Sequence, residues 1–193
     1  RRLADWDPAG VVLQAGPRDL DGLIRKLNVP VVNVSGVRPD LDDELHSVRV
    51  DDRAVGAMAA EYLLSRGFRN LAFYGMSLPG YSQRRQEGFC SAVSARSLRC
   101  DRYDHALPSG GCPDEWTWTG SERKLGDWLE SLPKPVGVLA RNDLAGFEIC
   151  ELCHQRGLHV PEQVAMVGVD NDELVCDLSE PPLMVRADPD RLA

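Results

Sequence analysis

The sequence predicts an α/β fold built on parallel β-sheets, with helices between the strands. Short apolar runs rich in valine and leucine alternate with longer amphipathic stretches, and this alternation is typical of parallel strands joined by helices. The chain has 193 residues, of which 43% are hydrophobic and 27% charged. A globular protein of that size can bury its core either as one large domain or as two small lobes.

Five apolar runs are predicted to form the strands. They are Val11–Leu13, Val29–Val34, Leu71–Tyr74, Val136–Ala140 and Val164–Val169. Few polar residues interrupt them, as expected of parallel strands that are covered on both faces.

A helix is predicted between the second and third strands. Its apolar residues recur at helical spacing and are Val55, Met58, Ala59, Tyr62 and Leu63. Either Asp51 or Asp52 is the predicted N-cap, and Gly67 is the predicted end. The segment after the third strand, from residue 78 to residue 99, is expected to open as a loop and continue as a helix through Phe89 and Val93.

Two more helices flank the fourth strand. Thr119 and Glu122 have the spacing of a capping box for a helix that closes before Pro133. The other helix begins at Asn142 or Asp143 and runs to Gly157. Residues 107–113, which precede the capping box, are expected to be irregular surface.

The charge of the chain argues against direct contact with nucleic acid. The formal net charge is −8 and the pI is near 5.0, so phosphate binding would work against the mean field of the chain. If the protein meets DNA, another segment is expected to touch it. No apolar run has the length of a bilayer span, and the first residues lack the apolar stretch of a signal peptide.

The six cysteines are scattered rather than arranged as a dense disulfide framework. This distribution favours a reducing cytoplasm. Cys150 and Cys153 form a C-x-x-C pair, but they fall in the middle of a predicted helix and are expected to be buried small side chains. The abrupt start before Val11 and the stop soon after Pro189 suggest that the sequence is part of a longer protein.

Candidate binding residues are the polar side chains that follow the strands, because ligands of open α/β sheets bind beyond the carboxyl ends of the strands. They are Asp51, Arg85, Asn142, Asp143 and Asp170, with Trp116 and Trp118 in the irregular connection. Carboxylates and a planar guanidinium form strong hydrogen bonds with hydroxyl groups, and an indole ring packs on the apolar face of a sugar. The set therefore suits a small polyhydroxylated ligand.

A purely structural interpretation is available for most of these residues. Asp51, Asn142 and Asp143 all occupy positions where an N-cap is needed, and a carboxylate or amide there stabilises its helix without any ligand. An arginine in a helix is usually solvated or paired at the surface, and a single tryptophan is usually part of a core or its rim. Asp170 fits this interpretation least, since it begins an acidic stretch at a strand end.

Enzyme motifs give one weak alternative. The D-x-D formed by Asp170 and Asp172 is similar to the strand-end motif of Mg²⁺-dependent phosphatases, although Leu174 stands where that motif has a hydroxyl. The sequence lacks the glycine-rich, P-loop, H-E-x-x-H and G-x-S-x-G patterns. Its four histidines are dispersed, so no metal, cofactor or catalytic residue is predicted.

Several segments, in order, resemble the sensor domain of lactose-repressor (LacI/GalR) type regulators. They are residues 50–56 (VDDRAVG), 67–75 (GFRNLAFYG), 85–89 (RQEGF), 140–145 (ARNDLA), 160–162 (VPE), 167–172 (VGVDND) and 181–183 (PPL). Within that family, residues 71–75, Trp118 ahead of residues 127–129, and residues 168–174 resemble the xylose operon regulators. The resemblance runs from about Val11 to Leu183.

This resemblance implies a type I periplasmic-binding-protein fold with sugar bound between two Rossmann-like lobes. Residues 1–68, rejoined by residues 181–193, would form an incomplete N-terminal lobe, and residues 69–180 the C-terminal lobe. Asp51, Arg85 and Asp170 would bind sugar hydroxyls, xylose being the expected sugar. Asn142 and Asp143 would lie close behind, and Trp118 would stack on the ring.

The same resemblance implies the partners. A homodimer would reach operator DNA through a separate helix-turn-helix module, and lobe closure around the sugar would change the spacing of the paired modules. The alternative from a different class is a periplasmic sugar-binding protein that serves a transporter, since it uses the same two lobes.

Overall fold

The computed structural model describes residues 8–14, 21–24, 26, 28–34, 44–77, 80–105 and 118–178. Within these ranges the chain forms seven strands and six helices. In chain order they are β1 (Val11–Leu13), α1 (Asp21–Ile24), β2 (Val31–Asn33), β3 (His46–Ser47), α2 (Asp52–Ser65), β4 (Asn70–Met76), α3 (Tyr81–Ser94), β5 (Cys100–His105), α4 (Trp118–Ser131), β6 (Val136–Ala140), α5 (Asp143–Gln155), β7 (Val164–Val167) and α6 (Glu173–Leu178).

The strands form two separate parallel sheets, which confirms the predicted α/β fold with parallel sheets. The first sheet has the order β1-β2-β3, and the second has the order β5-β4-β6-β7. Every pairing in both sheets is parallel. The first sheet belongs to a compact unit that contains the described residues up to Val50, together with Gly80 and Tyr81.

The second unit holds the larger sheet and its two apolar cores. Phe73, Leu139 and Val167 face helices α2 and α3, whereas Tyr74, Val138 and Met166 face helices α4 and α5. Successive side chains of a strand point to opposite faces, so β4, β6 and β7 bury nearly every residue. This double burial explains why their sequences read as almost continuous apolar runs.

Helix α2 packs on the second sheet. The second unit includes the chain from Asp51 onward, and the apolar face of α2 contributes Val55, Ala59 and Leu63 to its core. Residues 181–193 lie outside the described part of the chain. The predicted division into lobes of residues 1–68 with 181–193 and of residues 69–180 therefore stays a prediction.

Strand β5 was not predicted from the sequence. Its six residues, Cys100–His105, include Asp101, Arg102 and Asp104, so it has no apolar run. Among the described strands, β5 lies at the edge of the sheet and pairs with β4 alone, so its polar side chains can reach solvent. The two-residue strand β3 was missed as well, since it is too short to show a pattern.

The predicted capping box at Thr119 is wrong. Helix α4 begins at Trp118, which places Thr119 inside the first turn, where it cannot act as the N-cap. The helix ends at Ser131, before Pro133 as predicted. Residues 107–113, expected to be irregular, lie outside the described residues.

The five cysteines that the structure describes divide into two groups. Cys150, Cys153 and Cys176 are buried and free, and burial raises the pKa of Cys150 to about 12 and that of Cys153 to about 11. The C-x-x-C pair is thus made of inert core side chains, as predicted. Cys90 and Cys100 instead form a disulfide between α3 and β5. This disulfide was not expected, because the distribution of cysteines in the sequence favoured a reducing compartment.

None of the described helices is long and apolar enough to cross a membrane.

Helices α2 and α3 cross at a pair of glycines. A Cβ atom on Gly56 would lie 2.0 Å from the carbonyl oxygen of Arg85, and one on Gly88 would lie 2.0 Å from that of Arg53. Atoms cannot approach so closely, so only glycine permits this separation of the two helix backbones. The crossing brings the first turn of α2 next to the first turns of α3.

We expect Gly88→Ala to destabilise the second unit by about 1–3 kcal/mol, because the new methyl group would push the two helices apart. This cost should outweigh the roughly 1 kcal/mol by which alanine is favoured in a helix. Gly126→Ala is the matched control, since the three atoms nearest to its Cβ would belong to the flexible end of the Arg156 side chain rather than to backbone. Urea denaturation followed by circular dichroism measures both. Equal stability of the two variants would show that the crossing tolerates a side chain.

Candidate functional site

The candidate site lies at the carboxyl ends of β4, β6 and β7, where the polar segments after these strands meet the first turns of α2 and α3. Its central group is the guanidinium of Arg85, which is 6% exposed although it is carried by a helix. Arginine is rarely buried to this extent unless it is paired. The partners of Arg85 therefore define the site.

Arg85 contacts three different segments. Its Nε donates to Asp52 Oδ1 at 3.0 Å, its Nη1 donates to the carbonyl oxygen of Arg141, and its Nη2 lies 3.5 Å from Asp170 Oδ1. The first contact anchors the side chain to α2, and the second anchors it to the end of β6. Two anchors hold the planar guanidinium in one orientation, with Asp170 on its open side.

Asp52 is a site residue that the sequence analysis did not select. It is 3% exposed, and its second oxygen accepts from Arg84, whose Nη2 lies at 3.2 Å. One buried carboxylate thus holds two consecutive arginines of α3. The only sequence signal was the pair Asp51-Asp52, and both residues fit the same capping pattern.

Asp51, the residue that was selected, has the structural role. Its carboxylate accepts from the backbone N–H of Ala54 at 3.1 Å and so forms the N-cap of α2. Its side chain is exposed and lines an open groove of about 630 Å³ between α2 and α3, beside Arg53 and Glu87. Direct sugar binding by Asp51 stays a prediction.

Asn142 and Asp143 stabilise the start of α5. The Asn142 side chain is the N-cap and accepts from the N–H of Ala145 at 3.0 Å. Asp143 is buried, and its Oδ2 accepts from the backbone N–H of Asp172 at 2.7 Å. The Asp143 carboxylate therefore positions the loop after β7.

That loop presents Asp170 in an unusual backbone conformation. Asp170 has φ of 105° and Asn171 has φ of 56°, both in a region that side chains other than glycine rarely adopt. Gly168 makes room for the arrangement, because a Cβ there would lie 2.1 Å from Asp143 Oδ1. The Asp170 side chain stays 57% exposed while it faces Arg85. It is the acceptor of the site that a ligand can reach.

The pKa values of Asp143 and Asp170 are both raised above the ordinary value of an aspartate. Burial raises the pKa of Asp143, and the hydrogen bond from Asp172 opposes that rise. Burial also raises the pKa of Asp170, whereas the Arg85 guanidinium lowers it. Arg85 therefore helps to keep Asp170 ionised, the form in which a carboxylate accepts hydrogen bonds from hydroxyl groups.

The two remaining candidate residues are Trp118 and Trp116. Trp118 is the first residue of α4, but its side chain and all of Trp116 lie outside the described residues. Stacking of Trp118 on a sugar ring stays a prediction. Among the described residues, no group of three His, Cys, Asp or Glu side chains is placed to hold a metal ion.

A second polar cluster lies on the opposite face of the same strand ends. The Tyr74 hydroxyl donates to Glu148 Oε2 at 3.2 Å, and the guanidinium carbon of Arg141 lies 5.3 Å from the centre of the Tyr74 ring. Burial and the Glu148 charge raise the pKa of Tyr74 to about 12. Sequence reasoning missed these residues because they occur within or next to apolar runs.

The larger part of the chain matches one known protein family. Residues 60–193 match the periplasmic binding protein-like domain family. The chain belongs to that family. The match agrees with the parallel α/β sheets described above and with the resemblance to lactose-repressor type sensors.

The relatives of the chain are transcription regulators. The xylose operon regulatory protein of Escherichia coli K12 is 26% identical over 92% of this chain and 45% of its own length. The regulator CelR of Thermobifida fusca is 29% identical over 94% of this chain and 52% of its own length. This chain thus spans about half the length of the curated relatives that it matches.

Two solved structures of transcription regulators are also similar to this chain. The structure of the xylose-binding transcription activator xylR is 26% identical, with a TM-score of 0.72 over 86% of this chain and 43% of that one. A complex of the regulator CelR with cellobiose is also 26% identical, with a TM-score of 0.68 over 94% of this chain and 54% of that one.

We expect Asp52→Asn to lower the free energy of unfolding by about 3–5 kcal/mol, because it leaves Arg85 buried without its carboxylate partner. Asp51→Asn is the matched control one residue earlier. It should change stability by less than about 0.5 kcal/mol, since asparagine caps helices as well as aspartate does. Chemical denaturation at pH 7 compares the two variants. A larger loss from Asp51→Asn would reverse the assignment of their roles.

Proposed function

We propose that this chain is the sugar-sensing domain of a bacterial transcription regulator and that it binds a monosaccharide at the Arg85–Asp170 pair. The single observation that carries the proposal is a buried guanidinium, held by Asp52 and the Arg141 carbonyl, that faces an exposed carboxylate at the strand ends. A donor and an acceptor fixed side by side match two hydroxyl groups of a sugar. The relatives that the chain resembles are regulators.

Xylose is the first sugar to test. The support is the name of the xylose operon regulatory proteins and of the xylose-binding activator, each 26% identical to this chain. The proposed contacts are Arg85 and Asp170 to hydroxyl groups, with Asp51, Asn142 and Asp143 nearby and Trp118 on the sugar ring. Asp143 and Asn142 act through the loops that they position.

Regulation follows from differential affinity. Sugar that binds one conformation of the sensor more tightly than another shifts the population toward the bound form by that difference. We propose that the shift reaches operator DNA through a DNA-binding module elsewhere on the polypeptide, in a cytoplasmic homodimer. The acidic charge of this chain, −8, is consistent with a separate reader of DNA.

Calorimetric titration of the full-length protein with a panel of monosaccharides tests the proposal. We expect micromolar binding of at least one sugar, and a loss of roughly 100-fold or more on Arg85→Ala, because a charge-assisted donor is removed and Asp170 loses its partner. Arg53→Ala is the control, since that arginine pairs with Glu87 at the exposed surface. An affinity unchanged by Arg85→Ala would disprove the assigned site.

A sugar-binding protein of a transporter is the second candidate, and the Cys90–Cys100 disulfide favours it. Disulfides persist in oxidising compartments and are rare in the cytoplasm. The two candidates therefore predict different thiol states for the same protein in the cell.

For the regulator we expect Cys90 and Cys100 to be reduced in growing cells. The measurement is maleimide labelling of acid-quenched cells, with and without prior reduction, followed by mass spectrometry of the peptides. Cys150 and Cys153, which are free and buried, serve as the internal control for complete labelling of unfolded chains. Protection of Cys90 and Cys100 before reduction would support the transporter protein instead.

A further inference from the structure

The Cys90–Cys100 pair differs from the other described cysteines in its access to solvent. Both of its residues are half-buried, whereas Cys150, Cys153 and Cys176 are buried and free. Small oxidants and reductants reach half-buried sulfur atoms, and a thiol whose pKa is raised by burial reacts poorly. Among the described cysteines, thiol chemistry is therefore expected at this pair.

The pair is one of two links that join α3 to the edge strand β5. Gln86 Nε2 donates to Asp104 Oδ1 near the end of β5 at 2.8 Å, and Cys90 is bonded to Cys100 at the start of β5. Gln86 and Cys90 are four residues apart, so they lie on the same face of the helix. The hydrogen bond is exposed to water, which competes for its groups and leaves it a small net contribution. The disulfide is thus the stronger of the two links.

Helix α3 also carries Arg85, the central residue of the candidate site. Arg85 precedes Cys90 by five residues, which is little more than one helical turn. Its three partners, Asp52, the Arg141 carbonyl and Asp170, come from segments other than α3. The position of the guanidinium relative to these partners therefore depends on where α3 lies. All three contacts are present in the disulfide-bonded form.

The proposed compartment determines what kind of disulfide to expect. In the cytoplasm thiols are kept reduced, and the disulfides that do form there are usually transient, with catalytic or redox-sensing roles. The Cα atoms of Cys90 and Cys100 are 5.4 Å apart, within the range that a disulfide requires. In a cytoplasmic regulator such a pair is expected to bond when an oxidant is present and to open again when it is removed.

We propose that Cys90 and Cys100 form a reversible redox site, and that closing their disulfide holds α3 and Arg85 in the sugar-binding arrangement. This proposal rests on the proposed sugar-sensing function and adds a form of regulation to it. The bonded protein is the form with the higher affinity for sugar, because its guanidinium is held more firmly.

A peroxide is the oxidant. One thiolate attacks an oxygen of hydrogen peroxide, the O–O bond breaks, and a sulfenic acid and hydroxide are formed. The second thiol then attacks the sulfenic sulfur, so that the S–S bond forms and a second hydroxide leaves. The two thiol protons convert both hydroxides to water. Two electrons thus pass from the thiols to the peroxide. A dithiol reductant reverses the reaction through a mixed disulfide and is itself oxidised to a disulfide.

Thiol labelling in cells tests the redox site. We expect Cys90 and Cys100 to react with maleimide in untreated, acid-quenched cells, to be protected after brief exposure to hydrogen peroxide, and to react again after the peroxide is removed. Cys150 and Cys153 should be labelled in all three samples once the chain is unfolded. A pair that still reacts after peroxide, or one that is protected in every sample, overturns the proposal.

Calorimetry on the purified full-length protein tests the effect on sugar binding, with xylose and the rest of the monosaccharide panel as ligands. Closing a loop between cysteines ten positions apart favours the folded state by on the order of 100-fold. Since only part of that constraint acts at Arg85, we expect the reduced protein to bind sugar roughly tenfold more weakly than the oxidised protein.

Two variants serve as controls for the calorimetry. Cys90→Ser combined with Cys100→Ser should bind sugar as the reduced protein does, with or without peroxide. Cys150→Ala removes a buried free thiol from α5 and should keep the difference between the oxidised and reduced forms. Loss of the difference in Cys150→Ala would assign the redox response to α5 and overturn the proposal.

Hydrogen exchange of the ligand-free protein measures the constraint on α3 without any sugar. The amides of α3 should exchange faster in the reduced than in the oxidised protein, whereas those of α5 should not change. Equal exchange and equal affinity of the two forms overturn the regulatory role but leave sugar sensing intact. Absence of heat with every sugar in both forms overturns sugar sensing, while labelling and exchange still decide the redox site.

Discussion

The buried ion pair between Asp52 and Arg85 is the interaction on which the rest of the site depends. Desolvating both groups is costly, and a single pair of this kind contributes little net stability. Its value is positional. The carboxylate fixes the side chain of α3 against the start of α2, and the Arg141 carbonyl fixes it against the end of β6. A single guanidinium therefore fixes the positions of α2, α3 and the end of β6 relative to one another.

This registration requires that the helices nearly touch. Gly56 and Gly88 allow each backbone to approach a carbonyl of the other helix, and a side chain at either position would move Asp52 away from Arg85 and Arg84. The loop after β7 depends on a comparable close approach, of Gly168 to the Asp143 carboxylate. Small residues away from any ligand thus determine where the charged residues stand.

The sequence predicted the elements whose pattern is local and missed those set by packing. The central strands and helices α2 and α5 follow from apolar periodicity and capping residues. Strand β5 was missed because its charged residues, Asp101, Arg102 and Asp104, break any apolar pattern and are accommodated by its edge position beside β4. Asp52 was missed because Asp51 and Asp52 both suit an N-cap. Which of the two carboxylates faces α3 depends on how α2 is rotated about its axis in the packed structure. Arg85 and Asp170 lie next to each other, because residues that follow parallel strands meet at one edge of the sheet, and their sugar-binding role stays a prediction.

Hydrogen-bond satisfaction distinguishes the charged residues more sharply than burial does. Asp52, Arg85 and Arg141 are almost equally buried, but each nitrogen atom of Arg85 has a protein acceptor, whereas Nε and Nη1 of Arg141 have none among the described residues. The Tyr74 ring and the Glu148 carboxylate lie beside the Arg141 guanidinium and lower the cost of burying its charge. Arg141 also links the two polar clusters. Its carbonyl oxygen accepts a hydrogen bond from Arg85, and its side chain lies over the Tyr74 ring. A displacement of Arg141 would therefore move the carbonyl oxygen that orients Arg85.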